Sequence, residues 1–285
     1  MTQPRSATAI CASALLAFTT VIAQQPPPAP APAAPPPTAR QAARTDLAGY
    51  WVAQVNEDWR WRMMTPPKGD YESLPLSAAG KKAADGWDLT RDAASGALCK
   101  AYGAGAIMRL PLRLHVTWAD DDTLKVETDA GRQTRLFSFA RDAQPGPRSL
   151  QGFSVAQWMH VPPPAPARGG GGGRGGAAPA GAGAPEPRPS ALKVVTTNLQ
   201  PGYLRKNGVP YSENATVTEY FDRLPMFDRD YLMVVTVVTD PMYLARQFVT
   251  SSQFKREPDA SKWAPSPCTI DPPAGDSRHE PYVAQ

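Results

Sequence analysis

Apolar and polar residues alternate with a period of two along most of this chain, most clearly from Asn214 to Thr239. Strand side chains point to opposite faces in turn, so Ala215, Val217, Glu219 and Phe221 share one face while Thr216, Thr218, Tyr220 and Asp222 share the other. One acid therefore stands in an apolar row. After a tight connection, Tyr231 to Thr239 is apolar on both faces through Leu232, Met233, Val234, Val235, Val237 and Val238, which predicts a strand covered on both sides.

The same alternation predicts strands elsewhere. Leu47, Gly49, Trp51, Ala53 and Val55 form one face of a first strand, and Trp59, Trp61 and Met63 one face of a second, with Arg60 and Arg62 opposite and Asn56 to Asp58 as the hairpin. From Pro111 the signal resumes. Leu112, Leu114, Val116 and Trp118 alternate with Arg113, His115 and Thr117, and Asp120 to Asp122 turn the chain into Leu124 to Glu127. After Asp129 to Gly131, Arg135, Phe137 and Phe139 share a face. Phe153 to His160 and Leu192 to Thr197 read as a hairpin whose loop has been expanded, at little cost in loop-closure entropy. Gln247 to Lys255, with Phe248 and Phe254 inward, is the last of ten candidate strands. Between them, over 65–111, one short helix is expected from Ser77 to a stop at Gly86, set as a plug against one end of the sheet. Closely spaced strands with few helices predict an all-β fold, an antiparallel up-and-down β-barrel of about 8–10 strands with one short helix.

Composition changes the picture at the edges of this domain. Of 285 residues, 33 are Pro and 22 Gly, concentrated in two tracts that are expected to be disordered: a Pro/Ala-rich spacer over 24–45 and a Gly/Pro/Ala-rich insertion over 161–190. Residues 1–23, with Arg5 ahead of an apolar run from Ala7 and small residues before Gln24, read as a secretory signal peptide. The barrel is then expected over 46–270, followed by a tail over 271–285. Export implies a periplasmic or secreted protein with no stable membrane insertion once the signal is cleaved. The net charge of +4 owes most to Arg5, Arg40, Arg44, Arg168, Arg174 and Arg188, all outside the predicted barrel or in its insertion, so a nucleic-acid partner is not supported. Cys99 and Cys268, alone in the mature chain and remote in sequence, are expected to form a disulfide.

The Gly49-x-Trp51 of the first strand, followed by a meander, resembles the opening of lipocalin-type (calycin) barrels, though Thr239-Asp240-Pro241 does not match their later signature. Over nearly the whole predicted barrel the chain also resembles a group of exported bacterial proteins. The matching residues are Gly152, Ser154 and Trp158; Leu192, Val194 and Thr196; Thr218, Glu219 and Phe221; and Asp240, Pro241 and Tyr243. The resemblance implies architecture and export, and no activity.

Candidate chemistry is sparse. A carboxylate in an inward row costs several kcal/mol unless paired, so Glu219 needs a partner such as Arg135 or Arg113. It is either half of a structural ion pair, an outward-facing residue, or a polar anchor in a ligand cavity. The loop 199–214 carries Tyr203, Arg205, Lys206 and Tyr211, suited either to capturing an anionic or aromatic head group or to packing on the rim. Trp59, Trp61 and Trp158 would line a cavity or fill a core. The three histidines lack zinc-site spacing, and the Asp120–Asp122 run lacks that of a calcium loop, so no metal, cofactor or catalytic residue is assigned. The expectation is a non-catalytic binder of a small amphipathic or apolar molecule. A barrel enzyme using Glu219 for proton transfer, and an envelope interaction protein with a filled barrel, stand as alternatives.

Overall fold

The computed structural model describes residues 36–140, 142–159, 191–273 and 281–284. The signal peptide, most of the spacer, the insertion and part of the tail lie outside the described residues.

In chain order the helices are α1 (Ala39–Ala42), α2 (Trp59–Arg62), α3 (Ala78–Asp85) and α4 (Leu89–Ala94), followed by 3-10 turns at Ala97–Tyr102 and Ile107–Arg109. The strands are β1 (Gly49–Gln54), β2 (Arg113–Asp120), β3 (Thr123–Thr128), β4 (Thr134–Ser138), β5 (Phe153–Trp158), β6 (Leu192–Thr197), β7 (Gly202–Arg205), β8 (Val209–Tyr211), β9 (Thr216–Met226), β10 (Arg229–Thr239), β11 (Phe248–Glu257), β12 (Thr269–Ile270) and β13 (Tyr282–Val283). Nine of them close into a barrel in the order β1-β11-β10-β9-β6-β5-β4-β3-β2, with β2 back on β1; β7 pairs with β8 and β12 with β13 outside it. The expected β-barrel is present.

It departs from strict up-and-down topology at one place. Strand directions can alternate all the way around a closed ring only if their number is even, so nine strands require a parallel neighbour pair. That pair is β4 and β5, joined by only two register partners, Phe137 to Ser154 and Ser138 to Val155. The chain returns between them through 139–152, tethered by a bridge from Ser149 to Leu199.

The second expected strand, Trp59 to Met63, is instead helix α2. Four residues reading Trp-Arg-Trp-Arg fit one helical turn as well as a strand, and Asp58, with φ at +52°, swings the chain off the barrel before it. The expected faces do not hold either: Trp59, at 60%, and Arg60 are exposed, Trp61 is half-buried and Arg62 is buried. Helix α3 forms where expected, with Ser77 Oγ accepting from the Gly80 amide at 3.1 Å and Gly86 as C-cap. A side chain at Gly80 would strike the Tyr243 backbone, so this glycine lets the helix lie directly on the Asp240–Leu244 turn. Helix α4, capped by Asp88, was not anticipated.

The last part of the predicted spacer is also folded. Thr38 and Gln41 form a capping box on α1, the Ala39 amide donates to Asp122 Oδ1 at 2.7 Å, and Trp158 Nε1 donates to the Ala39 carbonyl at 2.8 Å. Helix α1 thus covers the barrel end where β2 turns into β3, above Trp118, Phe139 and Trp158. The other end is covered by the long excursion between β1 and β2 together with the β7–β8 hairpin. The disulfide Cys99–Cys268 joins this cap to the segment after β11.

Inward rows such as Leu114 and Val116, Leu124 and Val126, and Leu232 and Val234 are buried, and outward rows carry Arg113, His115, Lys125 and Glu127. This apolar-in, polar-out arrangement is the inverse of a membrane-spanning barrel. Among the described residues no helix is long and apolar enough to cross a membrane.

Candidate functional site

The candidate residues fall into separate places. Glu219 and Arg135 meet in the barrel interior. Arg135 Nη1 donates to Glu219 Oε1 at 2.9 Å and Nη2 to Oε2 at 2.6 Å, a bidentate pair with both side chains fully buried. Arg135 Nη2 also donates to Thr196 Oγ1 at 3.1 Å, and that hydroxyl lies 2.8 Å from Ser154 Oγ. β4 and β9 are separated in the ring by β6 and β5, so this chain of contacts links β9, β4, β6 and β5 across the lumen. Around it, Phe137 and Phe221 pack with centroids 5.4 Å apart, and Trp51, Val194, Val234 and Phe254 are fully buried. The barrel's own side chains occupy its interior. Trp158 packs with Trp118 and Phe139 beneath α1, at the opposite end from the cap.

The loop residues belong to the interior of the cap rather than to an open rim. Tyr203 donates to Asp92 Oδ2 at 2.7 Å, and Trp87 Nε1 donates to the same oxygen at 3.1 Å, tying β7 to α4. Tyr211 lies against Gly103, Gly105 and Gly202, positions where a Cβ would collide with its ring. Burial pushes both phenols well above their ordinary value; the neighbouring Asp92 adds to this for Tyr203.

Beside these tyrosines lies a cluster of cations. Arg205 is buried with its guanidinium 4.5 Å from the Trp61 ring centroid, and Arg60 lies 5.1 Å from the same ring. Asp70 accepts from Arg60 Nη2 at 2.6 Å and from Trp61 Nε1 at 3.2 Å. Arg62 Nε donates to the Arg109 carbonyl at 2.7 Å, and Arg109 Nη2 to Asp58 at 2.9 Å. Arg62 Nη1 and Nη2, and Arg205 Nε, Nη1 and Nη2, are buried without a hydrogen-bond acceptor. Burial holds Arg205 down to about 10, with the Arg109 charge next in weight, and the same two causes lower Arg62. Lys206 is lowered by burial; its nearest carboxylate is Asp271 at 3.9 Å.

Arg62 and Arg109 were not among the candidates. Arg62 was placed on the solvent face of a strand that is a helix, and Arg109 lies in a stretch without periodicity. The available signal was a lone cation inside the apolar run Ala106 to Leu112. Trp59 stands exposed on α2 and turns away from the barrel.

Among the described residues no group of three His, Cys, Asp or Glu could hold a metal ion. Asp120 to Asp122 form the expected turn, with Asp120 Oδ1 accepting from the Asp122 amide at 2.8 Å. The outer surface carries open grooves, one of about 400 Å³ lined by Leu224, Met226, Tyr231 and Met233.

Comparison with family models, curated proteins and solved structures finds no match to this chain.

Proposed function

We propose that this is an exported, non-catalytic binding protein whose site lies in the cap over one barrel end and not in the lumen. The observation that carries this reading is the contrast in the hydrogen bonding of its arginines: in the lumen both terminal nitrogens of Arg135 are engaged and only its Nε lacks an acceptor, while five guanidinium nitrogens of Arg62 and Arg205 are buried in the cap without acceptors. Buried polar groups in native proteins are otherwise almost always partnered, so the cap has capacity for an anionic group. Next to it, Trp59, Met63 and Met64 are exposed. Trp59 and Met63 are one helical turn apart, the Met63 amide donating to the Trp59 carbonyl at 2.8 Å, and they offer an apolar face to the body of an amphipathic ligand. Export is supported by the apolar N-terminal run and by the Cys99–Cys268 disulfide.

Proton transfer by Glu219 fits less well, because both carboxylate oxygens are held by Arg135 in a closed interior. An interaction protein with a filled barrel is the second reading. It is favoured by Met226 and by Phe227, which is 91% exposed at the tip of the longest hairpin.

Native mass spectrometry of protein released from its own periplasm tests the first reading. A molecule retained by the wild type is expected to be lost from Arg205→Met and kept by the double variant Arg135→Met with Glu219→Leu, which replaces the lumenal pair by apolar groups. The reverse pattern places the ligand in the lumen, and a wild type that carries nothing favours the interaction protein.

A further inference from the structure

The chemistry of the unpartnered atoms narrows the ligand class. Arg205 lies over Trp61, its Cζ 4.5 Å from the ring centroid, and none of its three nitrogens has an acceptor. Arg62 spends Nε on the Arg109 carbonyl, and the other two nitrogens have no acceptor. Thr65 Oγ1 and Asn207 Oδ1 are also buried and unpartnered, while Asn207 Nδ2 is fixed by the carbonyls of Pro67 and Asp70 at 3.0 and 3.1 Å, so its oxygen must be the free atom. A run of contacts links these groups: Arg205 lies on Trp61, which precedes Arg62 in the chain and donates to Asp70; Asn207 donates to the Asp70 carbonyl; and Arg62 donates to the Arg109 carbonyl.

The nearby acids are already used. Asp58 takes Arg109 at 2.9 Å, Asp70 takes Arg60 and Trp61, and Glu57 accepts from Ser251 at 3.2 Å while staying 3.8 Å from Arg62. The Arg109 charge, which disfavours the charged form of both Arg62 and Arg205, is thus left without a close counter-charge at Arg205.

We propose that Arg62 and Arg205 hold a phosphate group, inorganic or esterified, with Arg109 adding positive charge. Forked N–H donors match the oxygens of such a group, and the Thr65 hydroxyl adds another donor. Asn207 Oδ1 can only accept, so it selects an anion that keeps an O–H near neutral pH; inorganic phosphate keeps one as mono- or dianion, a phosphate monoester only as its monoanion, and sulfate none. The proposal rests on the reading of the cap as the binding site.

Isothermal titration calorimetry of the full chain with sodium phosphate tests it, with sodium sulfate and sodium chloride at matched ionic strength and glycerol 3-phosphate as the ester. One phosphate per chain is expected, with sulfate at least ten-fold weaker. Arg62→Met and Arg205→Met should each weaken phosphate at least ten-fold while keeping the wild-type far-ultraviolet spectrum. Arg205→Lys, which keeps the charge and loses the fork, covers the case in which Arg205→Met does not fold and should weaken it as well. Glycerol 3-phosphate binding as tightly as phosphate assigns an esterified ligand, and its exclusion assigns the free ion. Phosphate heats no larger than those of chloride, sulfate binding as tight as phosphate, or unchanged affinity in the arginine variants would overturn the assignment. A molecule retained in native mass spectrometry without any phosphate response removes the phosphate and leaves the cap reading in place.

Discussion

The lumen and the cap each bury arginine, and they treat it in opposite ways. Arg135 meets Glu219 through two short hydrogen bonds and Thr196 through a third, so its charge is balanced where it stands. Arg62 and Arg205 are as deeply buried, yet Arg62 has only Glu57 at 3.8 Å and no ion pair within 4 Å is seen for Arg205 among the described residues. A balanced buried pair holds a fold in one arrangement and leaves nothing over for a ligand. An unbalanced one costs stability and keeps its donors for something absent from the chain. The difference suggests that a buried charge becomes informative about function only once its partners have been counted.

The comparison is broken most sharply by removing half of the lumenal pair. Glu219→Leu should cost about 3–5 kcal/mol in urea unfolding, because Arg135 is left charged in an apolar interior, and adding Arg135→Met should recover most of that loss. Opening Cys99–Cys268 with Cys99→Ser and Cys268→Ser comes next, with a loss of about 2–5 kcal/mol; the loop it closes spans 169 residues. Arg205→Met should lie at the small end, within about 1 kcal/mol of wild type and on the stabilising side when no anion is present, since it relieves repulsion from Arg109. A loss as large as that for Glu219→Leu would mean that Arg205 is balanced after all.

Alkaline titration sharpens the contrast further. The phenols of Tyr203 and Tyr211 are raised in the folded protein, so above pH 10 the folded chain keeps protons that the unfolded chain has released. Stability then falls as pH rises, and absorbance at 295 nm should report their ionisation only together with unfolding.

Much of the barrel was legible because alternation survives wherever one face is buried and the other wet. Leu114 to Trp118, Leu124 to Val126 and Val217 to Phe221 are such runs, and Glu219 stood out in the last as an acid that had to find a cation. The cap was far less readable. Trp59 to Arg62 is too short for its period to separate strand from helix. The β4–β5 parallel pair depends on how many strands close the ring, which no local pattern records. Arg62, Arg109 and the Arg205–Asn207 turn come from three segments brought together only by the fold, so no spacing announces them. Thr38 and Asp88 are helix caps of ordinary type, but the helices they start have four and six residues, too few for a hydrophobic stripe.

The odd strand count leaves this barrel with a preferred line of rupture. β4 and β5 share two register pairs, and on either side of their junction Leu136 and Val155 are 54% and 43% exposed. Across the interior, Arg135 of β4 reaches Thr196 of β6 and Glu219 of β9, bolting shut from within the joint that the backbone fastens least. With the bolt left half-cut, as in Glu219→Leu, the wall is expected to part there first and bare two strand edges to neighbouring molecules, a hazard that an apolar replacement of both partners removes.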